Sequence, residues 1–204
     1  MNKTILFINP TAEIGGAEVN LIEMCKGLPN HQINPIVCCP EGPLSKKLDH
    51  LGIHTILVPD KTLQHTAFPQ ILLFAWKLKK RLQPTSFDMI HANSRFSMYI
   101  SLYLGLFTRK KVVLHWADYD IGKGDTQLIN LFKKKTQIIA VSHSIKDHLI
   151  RHKIPKRIIT TVHNGTSEPT PKQPISTPLP KDKCIVGIQD ESIIGKAIAT
   201  HSKP

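Results

Sequence analysis

Several short constellations along this 204-residue chain carry groups that could do chemistry. Gly15-Gly16-Ala17-Glu18 stands just after the apolar run Ile5–Ile8 and opens a helical pattern. A glycine pair between a strand and a helix lets backbone amides approach an anion, and the helix dipole favours negative charge there. The spacing is not G-x-G-x-x-G, so a dinucleotide fingerprint is not met. A tight turn, with Glu18 complementing the dipole, explains the same residues. His115 closes the run Val112-Val113-Leu114, His91 and Asn93 close another, and Ser142-His143 close a third. Strand ends of this kind form the ligand edge of an open α/β sheet. Each has a plainer reading: a packed histidine at 115, a turn held by Asn93 with a cap from Ser94, a helix cap at Ser142. Asp118 and Asp120 follow His115 in a loop with Gly122 and Gly124, acidic enough to take hydroxyl groups and equally readable as a mobile loop. The eleven histidines raise metal binding, yet no H-E-x-x-H, C-x-x-C or paired-His zinc spacing occurs, and no metal is expected.

These groups need a scaffold, and composition bounds it. An apolar fraction of 41% supports a real core and excludes a disordered chain. Four cysteines are too few for a disulfide framework, and adjacent Cys38 and Cys39 read as reduced core thiols of a cytoplasmic protein. The amino terminus lacks signal-peptide character. The longest apolar stretch, from Phe96 to Phe107, falls well short of the roughly 20 residues that span a bilayer. The net charge of +12 points to polyanionic partners or acidic surfaces, without choosing between them. It belongs to the middle of the chain: residues 1–60 hold four Lys against six acids, so the excess begins after them.

Short apolar runs alternate with helical periodicity. Strands are predicted at 4–9, 33–39, 53–58, 87–91, 111–116, 137–141 and 158–162. Helices are predicted from 17 to about 28 and over 44–51, 66–83, 94–105 and 125–135, with a last one after Ser142. Pro35 marks the second strand as an edge strand or a later start. This order predicts right-handed βαβ units and a doubly wound parallel, Rossmann-like α/β sheet with strands one, four and five central. Residues 1–165 form that domain. Residues 166–182, with five prolines, read as a linker, and 183–204 as the start of a second domain.

In order, GGAE, PEGPLSKKLDHLGI, DMIHANS, VVLHWADYD, IIAVSHSIKDHL and VHNGT resemble the amino-terminal domain of family-4-like GT-B glycosyltransferases across about residues 1–166. The resemblance implies two Rossmann-like domains around a cleft, of which this is one half. The amino-terminal domain mostly holds the acceptor and touches the donor diphosphate, here through Gly15 and Gly16. The carboxy-terminal one grips the nucleotide sugar with a basic pair and a Glu-rich motif. Neither motif follows CIVGI, so the chain is expected to be incomplete and inactive without a second half. By resemblance, His115 is the catalytic candidate beside the donor sugar, and Glu18, His91, Asn93, Asp118 and Ser142 are candidates for the acceptor or the rim of the site. The implied reaction is transfer from a nucleotide sugar to a hydroxyl acceptor, lipid-linked in many relatives, with retention and with neither cofactor nor metal.

Two other classes compete: a non-catalytic remnant that binds an acceptor or partner, and a basic nucleic-acid-binding module. The second is disfavoured, because no nucleic-acid motif occurs and aromatics are only 6%. The helix Ile71–Leu82, with Trp76 and four cations, and the triplets 109–111 and 133–135 suggest contact with an anionic membrane at its inner face, or solvated helix ends.

Overall fold

The computed structural model describes residues 2–59 and 68–165. The start of the third helix, the linker and the second-domain expectation lie outside the described residues. The elements run β1 (Lys3–Ile8), α1 (Gly16–Gly27), β2 (Ile33–Pro40), α2 (Pro43–His50), β3 (His54–Val58), α3 (Phe68–Arg81), β4 (Met89–Ala92), α4 (Arg95–Thr108), β5 (Lys111–Trp116), α5 (Lys123–Phe132), β6 (Thr136–Ala140), α6 (His143–Arg151) and β7 (Ile159–Thr161). All seven strands pair in parallel in the order β3-β2-β1-β4-β5-β6-β7. The order reverses between β1 and β4, where a doubly wound sheet opens a crevice at its carboxyl edge. Strands β1, β4 and β5 are the middle three, as expected.

Alternation along each strand sends neighbouring residues to opposite faces. Leu6, Ile8, Cys38, Ile90, Val112 and Leu114 join the core beneath α3–α6. Ile5, Phe7, Val37 and Cys39 join the core with Leu21, Cys25, Leu44 and Leu48 of α1 and α2. The adjacent cysteines therefore enter different cores, and burial pushes both thiols up to about 12.

Three local expectations are corrected. β2 is an interior strand that includes Pro35. Its ladder with β3 begins only at Ile36, so the missing N–H of Pro35 falls where one side of the strand is still open. α4 runs past Gly105 to Thr108, and Arg109 takes the left-handed conformation that ends it. Gly105 is a contact point: a Cβ there would stand 2.4 Å from Val112 Cγ2 and 3.2 Å from Lys110 O, so only glycine lets α4 lie this close to β5. Ser94 does not cap α4 with its side chain. Ser97 Oγ accepts from Ser94 N at 3.2 Å and donates to Ser94 O at 2.9 Å, leaving Ser94 Oγ buried without a partner.

Candidate functional site

Asn9, the residue that follows β1, is fully buried. Its side-chain amide donates to Thr11 O at 2.9 Å and shapes the loop that follows. Asn93, at the end of β4, donates from Nδ2 to Asn9 Oδ1 at 2.8 Å and to Ala17 O at 3.3 Å. These two amides tie β1, β4 and the start of α1 together at the switch point. The loop is backed from the other side. Leu44 N donates to Ala12 O at 2.9 Å, and Gly42 lies so close that a Cβ would stand 2.7 Å from Ala12 Cβ.

At the head of α1, Glu18 folds back so that Gly15 N donates to Glu18 Oε2 at 3.0 Å. The carboxylate is 6% exposed and satisfies one of the amides that helix geometry leaves open. Gly16 is exposed, and no heavy atom lies within 4 Å of the place a Cβ would take.

A cavity of about 490 Å³ opens beside this helix end. Thr11, Glu18, Asn93, Arg95, His115 and Asp118 line it. His115 also lines a second cavity of about 420 Å³, shared with Asn20, Glu23 and Asn164. It therefore stands on the partition between two spaces. Burial lowers the His115 pKa, and a hydrogen bond with the Asn164 side chain opposes that shift. Its Nδ1 is buried without a partner. Behind it lies His91, with ring centroids 5.6 Å apart. Burial first, then the His115 charge, push His91 down to about 3, and its Nε2 is also unpartnered.

The expected residues are thus only partly assembled. Glu18, Asn93, His115 and Asp118 share one cavity, with Gly15 held by Glu18. His91 lies beneath the rim, because β4 carries it inward against Phe7, at 4.7 Å between ring centroids. Ser142 lines neither cavity; its Oγ accepts from Ile145 N at 3.2 Å and caps α6. The loop after β5 is tied down: Arg95 pairs with Asp120 and, at 2.7 Å, with Asp125. Asp125, 1% exposed, also accepts from Gly122 N at 2.8 Å and from the Tyr99 hydroxyl.

Arg95 and Asn9 were missed in the sequence. Arg95 left a signal, since a cation in the first turn of a helix opposes the dipole and needs carboxylate partners. Asn9 left only its place at a strand end. Among the described residues, no three His, Cys, Asp or Glu side chains converge as metal ligands, and no helix is long and apolar enough to cross a membrane.

Solved structures share this fold. A glycosyltransferase from Rickettsia africae is 26% identical, with a TM-score of 0.69 over 79% of this chain and 43% of that one. Anabaena HepE, solved with UDP-glucose, is 19% identical, with a TM-score of 0.64 over 80% and 44%. The lipopolysaccharide outer core galactosyltransferase WaaB is 17% identical, with a TM-score of 0.57 over 86% and 50%. The chain thus spans half or less of each of these structures. No curated protein sequence matches it. The glycine loop, the clamped strand ends and the histidine of β5 nearly all fall within residues 14–168, which match the model of Glycosyltransferase Family 4, and the chain belongs to that family.

Proposed function

We propose that this chain is the acceptor-side half of a GT-B sugar transferase. With a second half gripping the nucleotide, it moves a glycosyl group from a nucleotide sugar to a hydroxyl acceptor, with retention of configuration. The observation that carries the reading is the closure of the α1 amino end by Glu18. That carboxylate occupies the Gly15 amide an incoming phosphate would use, and it repels phosphate while accepting hydrogen bonds from hydroxyls. Asp118 lines the same cavity, and Arg95 is already compensated by Asp120 and Asp125. A hydroxyl-bearing acceptor suits this lining better than a diphosphate does. The donor diphosphate instead passes the open lip at Gly16, and its main cationic contacts come from the second half.

In this reading His115 touches the donor sugar. With Nδ1 buried, the neutral imidazole meets a sugar hydroxyl through the nitrogen that now faces Asn164, exchanging that hydrogen bond for one to the substrate. Its position at the carboxyl edge of β5 lets it stabilise charge as the bond from the sugar to the diphosphate breaks and the bond to the acceptor oxygen forms. His91 is a positioning residue, because a proton on either ring raises the cost of protonating the other.

The test is UDP release from UDP-glucose and related donors, measured with the full chain alone and with a complementing GT-B half. No turnover is expected alone, and calorimetric donor affinity should be weaker than micromolar. Micromolar donor binding by the chain alone would place the nucleotide grip in this half and overturn the assignment.

A further inference from the structure

Helices α4 and α5 end at the amino edge of the sheet, opposite the candidate site. Between their ends lies a slot of about 390 Å³ floored by Leu102, Val112 and Phe132. Leu106 and Leu131 form its lips and are 50% and 74% exposed. Each helix is followed by a basic triplet, 109–111 after α4 and 133–135 after α5. Val112 N donates to Lys135 O at 2.9 Å, which sets the triplets side by side. Among the described residues, no carboxylate lies within ion-pair distance of any of these six cations. Helix carboxyl ends favour cations, but that does not explain two large leucines held in water beside them.

Lys110 Nζ lies 6.0 Å from the Phe87 ring centroid, but an apolar slot inside a basic ring that no carboxylate neutralises is complementary to a layer that is anionic outside and apolar within. Five of the six cations are lysines, whose compact point charge suits a diffuse headgroup layer better than the bidentate pairing that arginine makes with a protein carboxylate. We propose that this end of the sheet docks on an anionic phospholipid bilayer. Leu106 and Leu131 enter the boundary between headgroups and acyl chains, and the two triplets rest among the lipid phosphates. The exposed Trp76 of α3 is not the anchor, because Lys80 Nζ already sits 3.8 Å from its ring centroid and the two serve each other. Docking here points the candidate site away from the bilayer by the length of β5, roughly 20 Å at about 3.3 Å per residue. The slot therefore anchors the protein without feeding it a lipid acceptor, and its test does not depend on transferase activity.

The experiment is co-sedimentation of the full chain with vesicles of phosphatidylglycerol or of phosphatidylcholine, at about 0.1 M salt. Binding is expected to the first and not to the second. The double variant Lys134→Glu, Lys135→Glu should lower partitioning about 30-fold or more, at about tenfold per 1.4 kcal/mol. Leu131→Ser should lower it several-fold, and Trp76→Ala should leave it within about twofold. All four positions are exposed, and unchanged circular dichroism and melting confirm that each variant is folded. Equal binding to both vesicles, full binding by the double lysine variant, or loss on Trp76→Ala would overturn the proposal. Binding to duplex DNA with none to phosphatidylglycerol would overturn it too, and assign the ring to nucleic acid.

Discussion

His91 and His115 lie on adjacent strands with ring centroids 5.6 Å apart, and each keeps one ring nitrogen buried without a partner. The strand register makes them diagonal neighbours on one face, because His91 pairs with Val113. Two imidazoles so close and so dry are held neutral by the cost of burying charge.

This pair gives the protein a pH dependence with a definite sign. The His91 pKa falls to about 3 from 6.5. Above 6.5 both folded and unfolded states hold the ring neutral, and nothing is lost. As pH falls from about 6.5 toward 3, the unfolded chain takes up a proton that the folded one refuses, so stability drops, by an amount on the order of 3–5 kcal/mol. Urea midpoints measured across that window should flatten in His91→Gln relative to the parent. An unchanged slope would mean that His91 titrates normally in the fold.

Gly105→Ala should destabilise the protein by about 1–3 kcal/mol, although alanine is the better helix former. The added methyl would meet Val112 Cγ2 at 2.4 Å. Chemical denaturation checks this, and a neutral or stabilising result would show that α4 can move away from β5.

The fold was readable because continuous apolar strands alternated with capped or glycine-ended helices, and the parallel order followed from that alternation. Boundaries failed where tertiary contact overrode a local signal. Gly105 looked like a helix stop and is a close-packing point. Pro35 looked like an edge marker and sits just ahead of the β3 ladder. The site was legible as a set of strand ends, and Glu18, Asn93, His115 and Asp118 do share a cavity. What sequence spacing cannot give is depth. Nothing local distinguishes His91 beneath the rim from Asn93 on it, two residues further on. The clamp from Arg95 to Asp125 spans 30 residues and depends on how α4 packs on the α5 loop.

Asp125→Asn should cost about 2–4 kcal/mol, because one buried carboxylate serves the Gly122 amide, Arg95 and the Tyr99 hydroxyl. Hydrogen exchange at the Gly122 amide should speed up with it. If stability falls while that amide stays protected, the carboxylate is not what holds the loop.

Cys25, Cys38 and Cys39 should resist alkylation in the native state at neutral pH, since burial raises each thiol to about 12 and the thiolate is the reacting form. Peptide mapping after a short iodoacetamide pulse tests this, with labelling expected only on unfolding. Rapid native labelling of Cys38 would show that the core beneath α3 opens.

In the proposed function, His115 acts on a sugar in an enzyme half that a second, nucleotide-binding half completes. The most direct measurement compares transfer by the parent and by His115→Ala, each mixed with a complementing nucleotide-binding half, alongside the melting temperature of each. His115→Ala should lose transfer by at least about a hundredfold, the scale of one well-placed polar group, while its melting temperature stays within a few degrees of the parent. Full transfer by His115→Ala, or a collapse of its stability, would contradict the claim and make His115 a packing residue between two cavities.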